Sequence, residues 1–397
     1  MIPEAHTPIS YKEEKSAISM AVAMVSPNLP IYTKPLVKSL NNYNVTVKLL
    51  LTKNSHPFKI LKELIRATPD IVHIQYEPFM FGGSVFSLAS FPIFLLLVKA
   101  IRRPLVITLH GIVEPSYINE YFVKNYLALN GPPIIFRIGL ICLIKCISFF
   151  SDAIIVHGKL AARILREKYK CSQRKIYVIP HGIQKVEIIP QDEAKERLGL
   201  KNRKIILFFG YISKYKGIET LIIGFKQLCT KYKDWVLIIG GGAHPRLRNS
   251  QWYREYLLKL KQMASDACDQ IIFTGFLPEY EVPVYFSAAD LVVLPYNTPE
   301  LFASGPLMLA IGYEKPIAVS NIPSFKDLIQ MEEALFERAS PESLAKKLEL
   351  MLTDNGLRYK VLAHIRNIKM LNSWENIGLK TCMIYREICE GKNEKYA

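Results

Sequence analysis

The chain is poor in acidic residues for its length. Its 397 residues include 35 Asp and Glu against 51 Lys and Arg, which gives a formal net charge of +16 at pH 7. This excess favours an anionic partner, such as a nucleic acid, an anionic lipid or a phosphorylated substrate. Because the basic residues are dispersed and no nucleic-acid motif is present, a nucleic-acid binder is the least favoured of these classes.

Cysteine pairs at metal-binding spacing are also lacking. The seven Cys residues are scattered, and Cys142 and Cys146 form the closest pair. A reduced, cytoplasmic chain with buried thiols is the better interpretation. The first 15 residues contain three Glu and no apolar signal-peptide core, so we expect residues 1–16 to form a flexible extension.

Apolar runs of strand length recur, with helical stretches between them. The first set is Ser19–Ser26, Val45–Leu51, Asp70–Gln75, Pro104–Leu109, Ala153–Val156 and Ile176–Ile179. The second set is Lys204–Phe209, Trp235–Ile239, Ile271–Phe273, Leu291–Leu294 and Pro316–Val319. Continuous apolarity is typical of parallel strands that are covered on both faces. The alternation predicts two doubly wound α/β domains, residues 17–184 and 185–374, joined through the polar stretch Gln184–Asn202.

Ligands of open α/β sheets bind beyond the carboxyl ends of the strands, so the residues that follow each run are the first site candidates. These residues are His110-Gly111, His157-Gly158, His181-Gly182, Gly210-Tyr211, Gly240-Gly241-Gly242, Gly275 and Pro295-Tyr296, with Lys214 and Lys216 nearby. Each glycine alone is a weak signal, but their number at strand ends favours a ligand that approaches the backbone closely.

Ser304, Gly305 and Pro306 stand directly before the apolar run that begins at Leu307. Ser is a preferred N-cap and Pro suits a first helical turn, so a buried helix is predicted to begin here. The alternatives are an ordinary capped helix and a helix whose free N–H groups bind an anion.

Several stretches, in one order, carry a resemblance to a known family. They are DIVHIQYE (70–77), TLHG (108–111), SDAIIVHG (151–158), VIPHG (178–182), LFFGYISKYKGIETLIIGF (207–225), IIFTGFLPEYEVPVYFSAADLVVLPY (271–296) and SGPLMLAIGYEKPIAVS (304–320). Together they resemble GT-B-fold, family-4-type (group 1) retaining glycosyltransferases. SWENIG (373–378) resembles the closing helix of that family, which implies that residues 375–397 complete the first domain.

The resemblance implies two Rossmann-like domains that face each other across a cleft. The second domain would hold a nucleoside-diphosphate sugar, the acceptor would enter from the first, and neither a metal nor an organic cofactor would be needed. The donor diphosphate would bind where Ser304, Gly305, Pro306 and Leu307 begin their helix.

The resemblance also assigns roles to individual side chains. Lys216, six residues after Gly210, matches a diphosphate-binding lysine, and His110 matches a histidine near the donor sugar and the acceptor. His181 matches less specifically. Gly241 and Gly275 are further candidates for substrate contact at their strand ends.

This sequence departs from the family pattern at three places. Many members carry Arg where Tyr211 stands, which leaves Lys214 as a possible substitute. Many members carry two Glu here; Leu309 occupies the position of the second, ribose-binding Glu, and Glu300, nine residues earlier instead of eight, is the candidate for the first, sugar-contacting Glu. The loop after the first strand lacks the usual paired glycines, so we expect Tyr32, Thr33 and Lys34 to face the cleft instead. Glu77 is a further cleft candidate.

Two segments of the first domain are unusually apolar. Gly82–Val98 carries no charge, but it contains Pro92 and lies between two strands of one sheet, so we expect a crossover helix rather than a membrane span. Gly131–Phe150 is apolar apart from Arg137 and Lys145. Peripheral contact with an anionic membrane is favoured, and the alternative is that these helices pack against each other or a partner chain.

The favoured function is retaining glycosyl transfer from a nucleotide sugar to an acceptor hydroxyl, on a glycan or a lipid-linked molecule. The alternative is a non-catalytic binding subunit that keeps the fold. A dinucleotide oxidoreductase is disfavoured, because no Gly-x-Gly-x-x-Gly follows the first strand.

Overall fold

The computed structural model describes residues 19–27, 30–52, 56–77, 80–81, 85–125, 131–243, 250–267, 269–298 and 304–396. The N-terminal half forms a six-stranded parallel sheet in the order β2-β1-β3-β4-β5-β6. Its strands are β1 Met20–Ser26, β2 Val45–Leu51, β3 Ile71–Tyr76, β4 Leu105–Leu109, β5 Ala153–Val156 and β6 Ile176–Val178. Every residue of β3, β4 and β5 is buried, as expected for strands covered on both faces.

Helices connect these strands and cover the sheet. They are α1 Pro30–Asn41, α2 Pro57–Ala67, α3 Val85–Lys99, α4 Glu120–Asn125, α5 Pro133–Phe150 and α6 Lys159–Glu167. The two sides of the sheet have separate hydrophobic clusters. One contains Phe91, Phe94 and Ile147, and the other contains Leu36 and Tyr385.

The C-terminal half forms a second six-stranded parallel sheet, in the order β12-β11-β10-β7-β8-β9. Its strands are β7 Lys204–Phe209, β8 Trp235–Gly240, β9 Ile271–Gly275, β10 Leu291–Leu294, β11 Ile317–Ser320 and β12 Leu335–Phe336. Its helices are α7 Gln191–Arg197, α8 Ile218–Cys229, α9 Gln251–Met263, α10 Val282–Ala288, α11 Gly305–Gly312, α12 Pro323–Ile329, α13 Pro341–Thr353 and α14 Asn355–Leu371.

The last helix, α15 (Trp374–Tyr396), returns from the second domain to the first. Its Tyr385 is fully buried, and the hydroxyl lies 2.5 Å from Nδ1 of His73 on β3. At the start of the helix, the Trp374 ring packs edge-on against Tyr32 of α1, with the centroids 5.2 Å apart. The chain therefore crosses between the domains twice.

The predicted fold class, two doubly wound Rossmann-like α/β domains, is confirmed. The differences are local. The stretch interpreted as a linker contains α7, whose Gln191 side chain donates to Ala288 O, so this helix is part of the second domain. The expectation for Thr33 was wrong, because Thr33 is buried and lies 3.0 Å from the Ser26 hydroxyl instead of facing the cleft.

Each sheet has one point where the strand order reverses. It lies between β1 and β3 in the first sheet and between β7 and β10 in the second. Ligands of open α/β sheets bind in the crevice outside the carboxyl ends of the strands at such a point. Gly210 follows β7 and Tyr296 lies two residues beyond β10, which places both of them at the switch point of the second sheet.

Candidate active site

Helix α11 begins as the sequence predicts. Ser304 is its N-cap, with extended backbone, and the Ser304 hydroxyl accepts a hydrogen bond from Leu307 N at 3.3 Å. Pro306 stands in the first turn, where its missing N–H is not needed. Apart from its chain neighbours and its own helix, no described residue has an atom within 4 Å of the position that a Cβ of Gly305 would occupy. Among the described residues, the start of α11 therefore borders open space at Gly305, whereas Pro306 has no N–H and Leu307 N already donates to Ser304.

Lys216 reaches the same place from the turn that follows β7. It is 6% exposed, and its Nζ lies 2.5 Å from the Tyr296 hydroxyl and 3.8 Å from the centroid of the Tyr296 ring. The Tyr296 hydroxyl is also 3.1 Å from Ser304 Oγ. One buried tyrosine thus connects the lysine with the start of α11.

This lysine is electrostatically unusual. Burial lowers the pKa of Lys216 to about 7. Within the described ranges, no carboxylate forms an ion pair with its amine. A buried amine without an opposite charge is unfavourable in its protonated form, so an anion that entered beside Gly305 would stabilise it.

The glycines at the strand ends allow the backbones to approach one another. A Cβ on Gly241 would lie 1.9 Å from the carbonyl oxygen of Gly210, and one on Gly210 would lie 3.3 Å from the Pro306 ring. Gly210 also has a φ of 137°, which is unfavourable for other residues. Close packing is thus a sufficient structural reason for Gly241, and its contact with a substrate stays a prediction.

A cavity of about 300 Å³ lies between the domains. The second domain contributes Ser304, Leu307 and Met308 to its wall, and the first contributes His110, His157 and His181. The start of α11 therefore faces the first domain, as the predicted arrangement requires. A further contact closes one side, where Asp327 of α12 accepts a hydrogen bond from Leu160 N of α6 at 2.9 Å.

The three histidines surround the ring of Tyr32. Its centroid lies 4.6 Å from that of His110, 5.3 Å from that of His157 and 5.0 Å from that of His181. Burial lowers the pKa of His157 to about 3, and burial together with the neighbouring histidines holds the pKa of His110 well below its usual range. Tyr32 itself is buried among these rings and does not line the cavity, and Lys34 is exposed, so that either of them faces a substrate stays a prediction.

Of the predicted residues, His110, His181, Ser304 and Leu307 line this cavity, whereas Lys216, Gly210, Gly241, Gly305 and Pro306 do not, and the remaining described ones do not either. Tyr211 is 42% exposed, and Lys214 lies over the Trp252 ring, 5.8 Å from its centroid. Gly275 ends β9, and Glu77 is half-buried just after β3, where burial raises its pKa. Leu309 is partly buried against the core of the second domain. Glu300 lies outside the described residues.

Two family models match the chain. The model described as "Glycosyl transferases group 1" matches residues 190–367, and that described as "Glycosyltransferase Family 4" matches residues 43–185. The chain belongs to the group 1 glycosyltransferases. The boundary between the two matches falls where the first sheet gives way to the second.

Similar proteins agree with this assignment. This chain is 23% identical over 321 residues to YtcC of Bacillus subtilis strain 168, and the match covers 76% of this chain and 74% of YtcC. The name of YtcC describes it as a glycosyltransferase. Alr3699/HepE of Anabaena, solved in complex with UDP, has the same fold, with a TM-score of 0.69 at 14% identity over 93% of this chain and 100% of HepE. HepE in complex with UDP-glucose gives a TM-score of 0.61 at 16% identity over 94% of this chain and 100% of HepE.

The sequence alone assigned no specific role to four residues of the candidate site. His157 and Tyr296 were candidates only because they follow strands, and their contacts with His110 and Lys216 come from the structure. Gln75 lies inside β3, and Asp327 lies on α12. Neither has a sequence signal, because their contacts depend on how distant segments meet. No group of three or more potential metal ligands of the His, Cys, Asp and Glu types was found in the described part of the chain.

Proposed function

We propose that this glycosyltransferase moves a sugar from a nucleoside-diphosphate sugar to an acceptor hydroxyl, with retention of the anomeric configuration. The observation that supports the proposal best is the buried amine of Lys216, which lies beside the open N-terminus of α11 and lacks an ion-pair partner among the described residues. Amides at a helix N-terminus and a nearby cation together favour a phosphate group. The UDP and UDP-glucose complexes of HepE support a nucleotide-sugar donor.

The reaction would proceed by front-side displacement. The bond from the anomeric carbon to the phosphate oxygen breaks, and the acceptor oxygen bonds to that carbon on the same face. The proton of the acceptor hydroxyl moves to the departing phosphate oxygen. In this proposal Lys216 and the start of α11 stabilise the negative charge of the leaving diphosphate, without a metal. Gly210, Ser304, Gly305, Pro306 and Leu307 would shape the diphosphate site, with His110 and His181 on the acceptor side.

A thermal-shift screen with UDP, GDP and ADP tests donor binding. A nucleotide at 100 times its Kd adds about 2.7 kcal/mol of stability, and its identity would reveal the donor class. The anomeric configuration of the product, read by NMR, then tests retention. Absence of any shift with all three nucleotides would argue against the proposed site.

The alternative, a non-catalytic binding subunit, is distinguished by transfer assays of the wild type and of variants of two lysines. Lys216→Ala should abolish transfer, because it removes the buried cation. Lys233→Ala is the control, since Lys233 is exposed in the turn before β8 and no role in donor binding is predicted for it. Equal transfer by both variants would contradict the role of Lys216, and absence of transfer by the wild type with every donor and acceptor tried would favour the binding subunit.

Contact with a membrane is the second part of the proposal, and it rests on the exposed apolar face of α3 and α5. Among the described helices, α5 is one that is long and apolar enough to cross a membrane by length and composition. It connects neighbouring strands β4 and β5, so it lies against the sheet instead. Its outward residues Ile135, Ile138 and Phe149 are 62%, 55% and 77% exposed.

Charge complementarity points to an anionic membrane. Arg102 and Arg103, just after α3, and Lys145 on α5 are exposed, and the whole chain carries +16. The glycosyltransferase would then be a peripheral protein of the cytoplasmic membrane face that acts on a lipid-linked or cell-envelope acceptor.

Co-sedimentation with vesicles tests the membrane contact. Vesicles with anionic lipid should bind the protein at low salt, and zwitterionic vesicles should bind less. Ile138→Glu should weaken binding, whereas Leu258→Glu on α9, which is equally exposed at 58%, should not. Wild-type protein that ignores anionic vesicles at low salt would exclude this part of the proposal.

A further inference from the structure

A continuous line of buried polar contacts leads from α15 to the cavity. The Tyr385 hydroxyl contacts His73 Nδ1 at 2.5 Å, and His73 Nε2 lies 3.2 Å from the Gln75 amide nitrogen. The Gln75 amide oxygen lies 2.9 Å from His110 Nε2. Tyr385, His73 and Gln75 are completely buried, and His73 Nε2 also lies 2.8 Å from the Thr108 hydroxyl, so these groups obtain their hydrogen bonds from one another and from Thr108.

The far end of the line fixes the position of one proton. His110 Nδ1 lies 3.2 Å from His157 Nε2, and His157 Nδ1 lies 3.0 Å from Ile179 O. A carbonyl oxygen only accepts, so His157 Nδ1 must carry a hydrogen. A neutral imidazole has one N–H. In neutral His157, therefore, Nε2 presents a lone pair to His110.

The orientation of the Gln75 amide then determines whether the His110–His157 pair is satisfied in its neutral form. The amide oxygen of Gln75 accepts from His110 Nε2, so a neutral His110 presents a second lone pair from Nδ1 to His157. Two facing lone pairs at 3.2 Å repel, and one added proton turns the contact into a hydrogen bond. If the amide of Gln75 is reversed, its NH₂ group donates to His110 Nε2 and its oxygen faces His73 Nε2. The hydrogen of His110 then moves to Nδ1, that of His73 moves to Nε2, and the Tyr385 hydroxyl donates to His73 Nδ1, so these contacts are satisfied without charge.

Charged and titratable groups surround the pair on every packed element. Within the first domain these are Tyr32 of α1, His73 of β3 and His181 after β6. Lys159 of α6 also lines the cavity from the first domain, and across the cavity lie Asp327 of α12 and His364 of α14. Burial disfavours an added proton in the empty cavity, but a diphosphate at the start of α11 would supply the opposite charge.

We propose that the His110–His157 pair takes up one proton when the donor diphosphate binds, and that Gln75 is the positioning residue that selects between the two arrangements. This inference rests on the proposed donor site. The added proton places positive charge on the wall of the cavity that the first domain forms, facing the start of α11, while the diphosphate is bound. Gln75 acts through His110 and does not touch the substrate.

Calorimetry of UDP binding at pH 7.5, in two buffers with different ionisation enthalpies, measures the proton uptake. Lys216 can take up a proton of its own, so the Lys216→Arg variant is used, because a guanidinium is always charged. This variant should still take up close to one proton per UDP. Adding Gln75→Glu should bring the uptake near zero, because a carboxylate holds the pair protonated before UDP arrives. Uptake near zero in Lys216→Arg, or uptake unchanged by Gln75→Glu, would overturn the inference.

NMR of the wild-type protein labelled with ¹⁵N-histidine provides the test if a variant does not fold or bind. At pH 7.5, UDP should produce one histidine with both ring nitrogens protonated, and His157→Asn should remove that signal. UDP binding without an imidazolium signal would contradict the inference while leaving the donor site intact. No UDP binding at all would contradict the proposed function itself.

Discussion

Replacing Lys216 by Met separates the stability of this protein from its affinity for a diphosphate. Met keeps most of the apolar stem and removes the amine that is buried beside Tyr296. The pKa of Lys216 is about 7 in the fold, against 10.5 ordinarily. Between these values the unfolded chain binds more protons, so wild-type stability rises with pH there, by up to about 1.4 kcal/mol per pH unit from this group.

The variant should therefore unfold at a higher temperature than wild type at pH 7, and the difference should shrink as the pH approaches 10. Its affinity for UDP should fall. A hydrogen bond to a charged group contributes about 1.5–3 kcal/mol, which corresponds to about a 10- to 150-fold weaker Kd. If Lys216→Met raises the stability of the protein and lowers its affinity for UDP, then Lys216 is retained for ligand binding and not for stability.

The pH dependence of binding gives a second readout. Bound diphosphate raises the pKa of Lys216, so wild-type affinity should fall as the pH rises above 7, and Lys216→Met should lose that part of the slope. Differential scanning calorimetry and titration calorimetry measure both effects, with Lys233→Met, at an exposed position before β8, as the control. A variant that is less stable at pH 7, or that binds UDP as tightly as wild type, would refute the reasoning.

Three further changes test other parts of the structure. Tyr296→Phe keeps the ring over Lys216 but removes the hydroxyl between Lys216 and Ser304, so UDP binding by calorimetry should weaken about 2- to 10-fold; unchanged binding would exclude this positioning role. Asp327→Ala removes the acceptor of Leu160 N, so hydrogen exchange at that amide should become about 10-fold faster, and an unchanged rate would contradict the contact between the domains. Acidification from pH 6.5 should lower stability, because burial holds the pKa of His157 at about 3 and the unfolded chain therefore binds more protons. In urea unfolding, His157→Gln should reduce the slope of the unfolding free energy against pH by up to about 1.4 kcal/mol per pH unit. An equal slope in the variant and the wild type would contradict this prediction.

The sequence is sufficient for much of the fold because the strands are continuously apolar. Residues 204–209 and 291–294 are interpretable as buried strands without any knowledge of their partners, since both faces of a parallel sheet are covered. The start of α11 could also be predicted from the sequence, because it depends only on Ser304 as the N-cap and Pro306 in the first turn. The strand β12 has only two residues, which is too short for any periodic pattern.

The rest of the site depends on contacts between distant segments. Tyr296 meets Lys216 across 80 residues, and Asp327 meets Leu160 across 167. Gln75, like His73, is a polar residue in a mostly apolar strand, and its role depends on its contact with His110, which directly follows the neighbouring strand β4. Composition and spacing carry no information on such pairs, because burial and hydrogen-bond partners are set by the tertiary structure.

The central claim is that a diphosphate binds between Lys216 and the start of α11, facing the first domain. A crystal structure with UDP tests it most directly. We expect a phosphate oxygen within hydrogen-bond distance of both Lys216 Nζ and Gly305 N, on the side of the cavity that faces His110. UDP bound elsewhere, with Lys216 still paired with Tyr296 and no phosphate beside Gly305, would contradict the claim.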